Sequence, residues 1–293
     1  MFILQPCPIA TASKFCVPHE IDERIKSVYF SSVSQRPSIL RKAHPFRKKW
    51  GQNFLTDTNL LNRIVRTVDP QKGDSILEIG PGDGSLTEKI FPNVREMAAI
   101  EIDPLLIKHL SIRSDLEGLQ IINGDVLLQD IEKIPISNPV RIIGNIPYNI
   151  TSPIIIWLIE QLDYWDDAFI MMQKEVGERL TAKVGTKNYS RLSVVVGVYL
   201  NMELCFTIPP DVFYPKPKVD SAIIKFTKKS NPIVPDEQYV KFNKIVKAAF
   251  SKRRKMLRNS LAGFDIPKEI KSEIDFTRRP ETLTIQEFAK LLT

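Results

Sequence analysis

Short apolar runs recur through the middle of the chain, and segments with helical spacing separate them. The runs are rich in β-branched residues and almost continuously apolar, as expected for strands that are buried on both faces. They lie at residues 75–79, 97–100, 119–122, 140–143 and 168–172. The intervening pattern Leu105, Leu106, His109 and Leu110 is typical of a helix. Strands that alternate with helices predict an α/β fold with a parallel sheet covered on both faces.

The pattern changes toward the carboxyl end. Two more runs, 194–200 and 222–226, predict the arms of a wide antiparallel pair at the sheet edge, with a proline-rich loop between them. Polar residues 228–235 predict a linker. Helical spacing then returns, with Phe242 and Ile245 among the apolar positions. We therefore predict three parts, which are a poorly ordered extension over residues 1–45, a sheet domain over 46–230 and a small all-α domain over 235–293.

Composition adds a preference for polyanions. The 293 residues carry 41 Lys and Arg against 34 Asp and Glu, a formal net charge of +7, which favours nucleic acid as a partner but also suits a merely well-hydrated surface. The cysteines Cys7, Cys16 and Cys205 form no Cys-x-x-Cys pair, and the three histidines lack metal-ligand spacing. We expect no disulfide framework, no metal site and a reducing, cytoplasmic location. No apolar run approaches the roughly 20 residues of a membrane span.

A glycine-rich turn follows the first predicted strand, with the sequence Glu78-Ile79-Gly80-Pro81-Gly82-Asp83-Gly84. Glycines in such a turn let the backbone lie against a ligand. A dinucleotide fingerprint would place a further glycine at position 85, where this chain has Ser85. The pattern therefore favours a nucleoside ligand without a pyrophosphate.

Acidic residues end the next two predicted strands. Glu101 can accept hydrogen bonds from ribose hydroxyls, and Asp125 can accept from an adenine amino group. Each acid alone is typical of a helix-capping residue. With Glu78 before the glycine turn they make three acids at the carboxyl ends of three successive strands, where open α/β sheets bind ligands, so they predict a nucleoside pocket.

The fourth predicted strand runs directly into Asn145-Ile146-Pro147-Tyr148. An exocyclic amine on adenine is a weak nucleophile, because its lone pair is delocalised into the ring. The Asn145 side chain and the Ile146 carbonyl can accept its two N–H groups and direct the lone pair at a methyl donor. Pro147 would stiffen the loop and Tyr148 would stack on the base. An isolated Asn-Pro turn would be unremarkable, but after the acidic strand ends it predicts a site for amine methylation.

These motifs together resemble the ribosomal RNA adenine dimethyltransferase family, specifically the KsgA type that acts on the small subunit. The resemblance runs from about residue 46 to residue 293 and includes the segments 49–55, 213–221, 250–261 and 278–281. It implies a Rossmann-like class I methyltransferase sheet with a small C-terminal all-α domain. It also implies S-adenosyl-L-methionine as the cofactor. Asp83 departs from the family's pattern, which often has a bulky apolar residue there.

The resemblance also assigns site residues. It implies cofactor contacts by Asn53, Leu55, Gly80, Gly82, Glu101, Asp125 and Asn145. The catalytic set would be Asn145, Ile146, Pro147, Tyr148 and Phe213, with Phe213 as a second aromatic wall around a flipped adenine. RNA would contact Lys252, Arg253, Arg254, Lys255 and Arg258. Interleaved apolar residues, Phe250, Met256, Leu257 and Leu261, predict a helix with one packed and one charged face. The basic residues within 41–49 are equally consistent with RNA contact and with a solvated surface.

The implied reaction is transfer of two methyl groups to N6 of each of two adjacent adenosines near the 3′ end of small-subunit rRNA. The substrate would be an assembling small subunit, and we expect a monomer. A large-subunit dimethyltransferase of the macrolide-resistance type would share the catalytic loop, but residues 252–261 and 278–281 favour the small-subunit type. A non-catalytic RNA-binding assembly or transcription factor is disfavoured by the intact catalytic loop and acidic strand ends. Ser85 disfavours a nicotinamide dehydrogenase.

Overall fold

The computed structural model describes residues 53–252 and 254–292. These residues fall within a compact unit that spans residues 45–293. The predictions made for residues 1–45, for the basic residues within 41–49 and for Arg253 lie outside the described residues.

Nine strands and ten α-helices are assigned within the described ranges. The strands are β1 (Phe54–Leu55), β2 (Ser75–Ile79), β3 (Glu96–Glu101), β4 (Gln120–Asn123), β5 (Val140–Asn145), β6 (Trp165–Gln173), β7 (Leu200–Ile208), β8 (Phe213–Tyr214) and β9 (Ser221–Lys228). The helices are α1 (Thr58–Val68), α2 (Thr87–Ile90), α3 (Pro104–Ser111), α4 (Thr151–Glu160), α5 (Lys174–Leu180), α6 (Arg191–Val196), α7 (Asp236–Ser251), α8 (Leu257–Ser260), α9 (Lys268–Glu273) and α10 (Ile285–Lys290).

The main sheet has seven strands in the order β4-β3-β2-β5-β6-β9-β7. Strands β2 to β6 pair in parallel, and β9 is antiparallel to both β6 and β7. The predicted α/β fold with a parallel sheet is therefore confirmed. After β4 the chain returns to the other side of β2, so the strand order reverses between β2 and β5. In open α/β sheets such a reversal leaves a crevice at the carboxyl ends of the strands.

The prediction of a strand over residues 194–200 is wrong for all but Leu200. Val194, Val195 and Val196 lie in α6 and are buried. Ser190 and Ser193 form a capping box at the start of that helix, so the local hydrogen bonding favours helix over strand. A short apolar run fits a buried helix as well as a buried strand. The antiparallel pair itself is present, because β7 begins at Leu200 and pairs with β9.

The C-terminal helices share a hydrophobic core with the sheet. Phe242 of α7 and Phe288 of α10 belong to the same buried cluster as Trp165 and Phe226 of the sheet. The ring of Phe250 lies 5.8 Å from that of Phe288, centroid to centroid. The region beyond residue 235 is helical, and its division from the sheet as a separate domain stays a prediction. Among the described residues, no helix combines the length and the apolarity that crossing a membrane requires.

Candidate active site

A cavity of about 430 Å³ opens at the carboxyl ends of β2, β3, β4 and β5. This volume lies within the usual range for small-molecule sites. The cavity is lined by all seven residues for which cofactor contact was predicted, namely Asn53, Leu55, Gly80, Gly82, Glu101, Asp125 and Asn145. Ile146 and Pro147 of the catalytic loop line it as well. The motifs, far apart in sequence, thus meet at one place in the fold.

The glycine loop after β2 has a backbone that only glycine adopts readily. Gly80 and Gly82 have φ angles of +68° and +62°, in the left-handed region that strains residues with a Cβ atom. A Cβ atom at Gly82 would also lie 3.1 Å from the ring of Phe54, which lines the same cavity. The loop therefore needs glycine both for its conformation and for the approach of β1.

Asp83 stabilises this loop from within. Its buried carboxylate accepts hydrogen bonds from the Ser85 hydroxyl at 2.7 Å and from the Ser85 backbone amide at 3.2 Å. The Asp83 carbonyl accepts from the buried guanidinium of Arg113 at 3.0 Å, and Arg113 also forms an ion pair with Glu88. An acid at a position that is often apolar in the family is therefore accommodated by local hydrogen bonds, and Ser85 supplies two of them.

Glu101 is held by the backbone. Its carboxylate accepts from the amides of Ile102 and Asp103, both at 2.9 Å, and from the amide of Gly82 at 3.2 Å. Burial raises the pKa of this carboxyl, and the three backbone donors oppose that rise. A carboxylate offers about four acceptor positions, so about one remains for a ligand hydroxyl in the cavity.

Asp125 follows β4 and combines two tasks. One carboxylate oxygen accepts from the Leu127 amide at 3.0 Å and so caps the short 3-10 helix Val126–Leu128. The same side chain lines the cavity. The capping interaction and the predicted ligand contact are therefore compatible, since a carboxylate has a second oxygen.

Glu78, the acid that precedes the glycine turn, lines the cavity, although no specific ligand contact was predicted for it. It is almost completely buried within β2, and its carboxylate accepts from the Thr87 hydroxyl at 2.6 Å. Burial raises its pKa to about 7, against the opposing hydrogen bond from Thr87 and with added repulsion from Glu101 and Asp83. The sequence feature that indicates a role for Glu78 is a carboxylate inside an otherwise apolar strand. Buried carboxylates are rare, and those with strongly shifted pKa values are concentrated at functional sites.

The Asn145 side chain has a defined orientation. Its Nδ2 group donates to the Asn53 carbonyl at 2.9 Å. A carbonyl oxygen can only accept, so the amide must present its NH₂ group to Asn53 and its oxygen elsewhere. The carboxamide oxygen is thus left to accept a hydrogen bond at the mouth of the cavity.

The two predicted aromatic walls differ in their placement. The Tyr148 hydroxyl lies 2.6 Å from the Ser221 hydroxyl, which fixes the half-buried ring next to the catalytic loop. Burial raises the pKa of Tyr148, and Ser221 opposes that rise. Phe213, by contrast, is only 4% exposed and packs in a cluster with Leu55 and Phe206. Neither aromatic residue is part of the cavity lining. A contact between Phe213 and a target base stays a prediction.

The predicted RNA-binding cluster is exposed, but it is not one helix. The described members are Lys252, Arg254, Lys255 and Arg258, and all four are exposed. Helix α7 ends at Ser251 and α8 begins at Leu257. The amides of Leu257 and Arg258 donate to the carbonyls of Arg278 and Phe276 instead of continuing α7, so the prediction of a single helix is wrong.

The packing between these basic residues follows the prediction in part. Leu257 and Leu261 are buried in the main core cluster, whereas Met256 is 37% exposed. The segment therefore has an apolar anchor on one side and four described cations on the other. These cations remain available to a polyanion.

The main sheet has the strand order of a class I methyltransferase, with β9 as its one antiparallel strand. The glycine-lined crevice at the ends of its strands agrees with this class. A family model described as "Ribosomal RNA adenine dimethylase" matches residues 43–291. The ribosomal RNA small subunit methyltransferase A of Janthinobacterium sp. (strain Marseille) is 39% identical over 251 residues, which cover 85% of this chain and 98% of that relative. The chain belongs to the ribosomal RNA adenine dimethylase family, and its cofactor is S-adenosylmethionine.

Solved structures agree with this assignment. A dimethyladenosine transferase from Plasmodium falciparum superposes with a TM-score of 0.71 and 26% identity, over 81% of this chain and 95% of the other. The 23S rRNA methyltransferase ErmE superposes with a TM-score of 0.65 and 26% identity, over 82% of this chain and 98% of the other.

The cavity suits the cofactor. S-adenosylmethionine carries a ribose, an adenine and a cationic sulfonium, and the cavity presents the carboxylates Glu78, Glu101 and Asp125. Two of these are held by backbone amides. Fixed anions in a partly buried site favour a cationic nucleoside.

Proposed function

We propose that this chain uses S-adenosylmethionine to dimethylate N6 of each of two adjacent adenosines near the 3′ end of small-subunit rRNA. The observation that carries the proposal is the orientation of the Asn145 carboxamide, whose NH₂ group is bound by the Asn53 carbonyl. An acceptor oxygen set in this way at the end of β5 suits a substrate amine that offers two N–H donors.

Glu101 and Asp125 hold and orient the methyl donor. Glu101 offers its remaining acceptor position to a ribose hydroxyl, and Asp125 accepts from the adenine amino group. The loop containing Gly80 and Gly82 lets the backbone approach the ligand without a Cβ atom between them. When bound, the cofactor supplies an electrophilic methyl group on its sulfonium sulfur.

The catalytic loop orients the acceptor. The Asn145 oxygen and the Ile146 carbonyl each accept an N–H from the adenine amine, which draws the nitrogen toward tetrahedral geometry and aims its lone pair at the cavity. Pro147 restricts the backbone between them and Tyr148. The Tyr148 ring, anchored by Ser221, stacks on the extruded base. For each methyl group gained, the amine nitrogen would release one N–H proton to water. The mechanism therefore relies on positioning and needs no general base of shifted pKa.

The small subunit is the substrate that the relatives favour. The ribosomal RNA small subunit methyltransferases A of Janthinobacterium and of Streptococcus thermophilus are both 39% identical to this chain. The exposed cations Lys252, Arg254, Lys255 and Arg258 would contact the rRNA backbone. We further propose that the enzyme acts as a cytoplasmic monomer on an assembling small subunit.

The test uses the purified full chain, labelled cofactor and undermethylated small subunits, with large subunits as the control. Nucleoside mass spectrometry should find labelled dimethyladenosine in small-subunit RNA alone. Label in large-subunit RNA would assign the chain to the macrolide-resistance type. Cofactor binding without label in either RNA would favour a non-catalytic assembly role.

The variant Asn145→Ala sharpens that test. Its methyl transfer should fall at least about a hundredfold, because one of the two acceptors for the substrate amine is lost. Its cofactor affinity should stay within a few-fold of the original. An equal loss of cofactor affinity would mean that Asn145 acts on the cofactor rather than on the amine.

A further inference from the structure

An aromatic ring is exposed on a small ribbon beside the active site. Tyr214 is 47% exposed, although its neighbour Phe213 is buried. Both residues form β8, which pairs with β1 in an antiparallel ribbon with the register Phe54↔Tyr214 and Leu55↔Phe213. Successive side chains on a strand point to opposite faces, so the ribbon directs Phe213 into the core and Tyr214 outward.

The ribbon borders the catalytic site. Its strand β1 supplies Phe54 and Leu55 to the cavity lining, and Phe54 pairs with Tyr214. Asn53, next to Phe54, binds the Asn145 side chain through its carbonyl. Backbone geometry therefore places the Cα atom of Tyr214 at most about 15 Å from Asn145 Nδ2.

The surroundings of Tyr214 suit a polyanion with flat bases. Lys218 and Val219 are exposed in the same loop, and Val219 is 43% exposed. Lys216 and Lys174 in this region are paired with Asp211 and Asp220. Lys218, in contrast, forms no ion pair with any residue that the structure describes. An aromatic face with a nearby free cation is the arrangement that binds unpaired nucleotides.

We propose that Tyr214 stacks on an unpaired nucleotide adjacent to the target adenosine, and that Lys218 contacts the phosphate of that nucleotide. This subsite rests on the proposed function, and it is separate from the cofactor cavity, which neither residue lines. Stacking there would hold the rRNA strand after the target base has left its stack. Stacking on Tyr214 is possible with any base, so it can be kept when the RNA strand moves by one nucleotide. Such a movement would bring the second of the two adjacent adenosines into the pocket after the first.

The first experiment measures methylation of undermethylated small subunits by the full chain and by the variants Tyr214→Ala, Tyr214→Phe and Lys218→Ala. Tyr214→Ala should raise the KM for subunits by about fivefold to a hundredfold and leave the KM for the cofactor unchanged. Tyr214→Phe keeps the ring and should behave like the original protein. Lys218→Ala should weaken subunit binding and reduce its salt dependence by about one phosphate contact.

The second experiment locates the nucleotide. A short RNA with two adjacent adenosines carries the fluorescent base 2-aminopurine either at the target position or at a flanking position. The protein should quench the flanking probe, and Tyr214→Ala should abolish that quenching but not the quenching at the target. Tyr164→Ala removes a partly buried tyrosine next to the amino end of β6, at the opposite end of the parallel strands from the cavity, and is the control that should change neither probe.

The outcomes separate the two proposals. If the original protein does not methylate or bind small-subunit RNA, the proposed function fails and the subsite fails with it. If the original protein methylates normally and Tyr214→Ala has the same subunit KM and the same quenching, only the subsite is refuted. Loss of quenching at the target position instead would make Tyr214 a wall of the target pocket and would also refute the proposal.

Discussion

Glu78 should couple both the stability of the protein and its cofactor affinity to pH near neutrality. Its carboxyl is buried in β2 beside Glu101 and Asp83, and its pKa rises from an ordinary value of 4.5 to about 7. The substitution Glu78→Gln removes the titration. It keeps a side-chain oxygen that can accept from the Thr87 hydroxyl, so packing and hydrogen bonding are little changed.

The expected magnitude follows from the shift in pKa. A displacement from 4.5 to about 7 corresponds to about 3 kcal/mol. Because the folded pKa is the higher one, the folded state binds more protons between these two values, and the free energy of unfolding falls as the pH rises through that window. The stabilisation from protonated Glu78 is complete below pH 4.5 and is lost as the pH passes about 7.

Cofactor binding should have the opposite pH dependence. A cationic ligand near Glu78 favours the ionised carboxylate, so binding drives proton release and strengthens as the pH rises. If only the ionised form binds, the affinity of the original protein should be up to about tenfold weaker at pH 6 than at pH 8. For Glu78→Gln the affinity should be nearly independent of pH over the same range.

The assay combines urea denaturation of the cofactor-free protein at pH 5, 6, 7 and 8 with calorimetric titration of the cofactor. The exposed residue Glu117 provides the matched control, since Glu117→Gln makes the same chemical change on the surface. Burial also raises the pKa of Glu101. The free energy of unfolding of Glu78→Gln should therefore still fall as the pH rises, but less steeply than that of the original protein. If Glu78→Gln and the original protein have the same pH slopes in both measurements, Glu78 does not titrate near neutrality and the reasoning is refuted.

Three further substitutions test the loop and the basic cluster. Gly82→Ala should weaken cofactor binding at least tenfold in a titration, because of its positive φ angle and crowded Cβ position, while Gly73→Ala, with nothing within 4 Å, should not. Arg113→Met should lower the free energy of unfolding by about 2 kcal/mol in urea denaturation, since the Asp83 carbonyl loses its donor and the partly exposed Glu88 loses its ion pair. Arg254→Glu with Lys255→Glu should weaken rRNA binding and flatten its salt dependence, whereas unchanged binding would indicate an ordinary solvated surface.

The sheet and the cofactor pocket could be predicted because their signals are local. A strand buried on both faces must be apolar along its length. The residue after it lies at the carboxyl end of the strand, where the ends of the other parallel strands also lie. Glu101, Asp125 and Asn145 each follow or end such a strand, so their meeting in space followed from the parallel arrangement alone. The prediction needed no knowledge of side-chain contacts.

The errors concern elements that are decided by distant partners. Residues 252–258 have helical spacing, but the amides of Leu257 and Arg258 pair with carbonyls about 20 residues further along the chain. The three valines of α6 gave no periodic signal that distinguishes helix from strand, and the serine capping box decided the outcome. The burial of Phe213, whose contact with a target base stays a prediction, likewise depends on its pairing with β1, more than 150 residues earlier, which no local pattern reveals.

The polar groups that are proposed to contact ligands are each held by a second partner. Asn53 fixes the Asn145 amide, Ser221 fixes the Tyr148 hydroxyl, and backbone amides fix Glu101. Groups oriented before the ligand arrives need no reorganisation during the reaction, and this is the main way in which dipoles stabilise a transition state. Asn53 also links the two halves of the site, because it lines the cavity and its backbone carbonyl supports the residue proposed to bind the substrate amine. The supporting carbonyl belongs to the backbone, so a side-chain substitution at Asn53 keeps this hydrogen bond and should lower cofactor affinity more than methyl transfer at saturating cofactor. Asn145→Ala should instead lower methyl transfer far more than cofactor affinity.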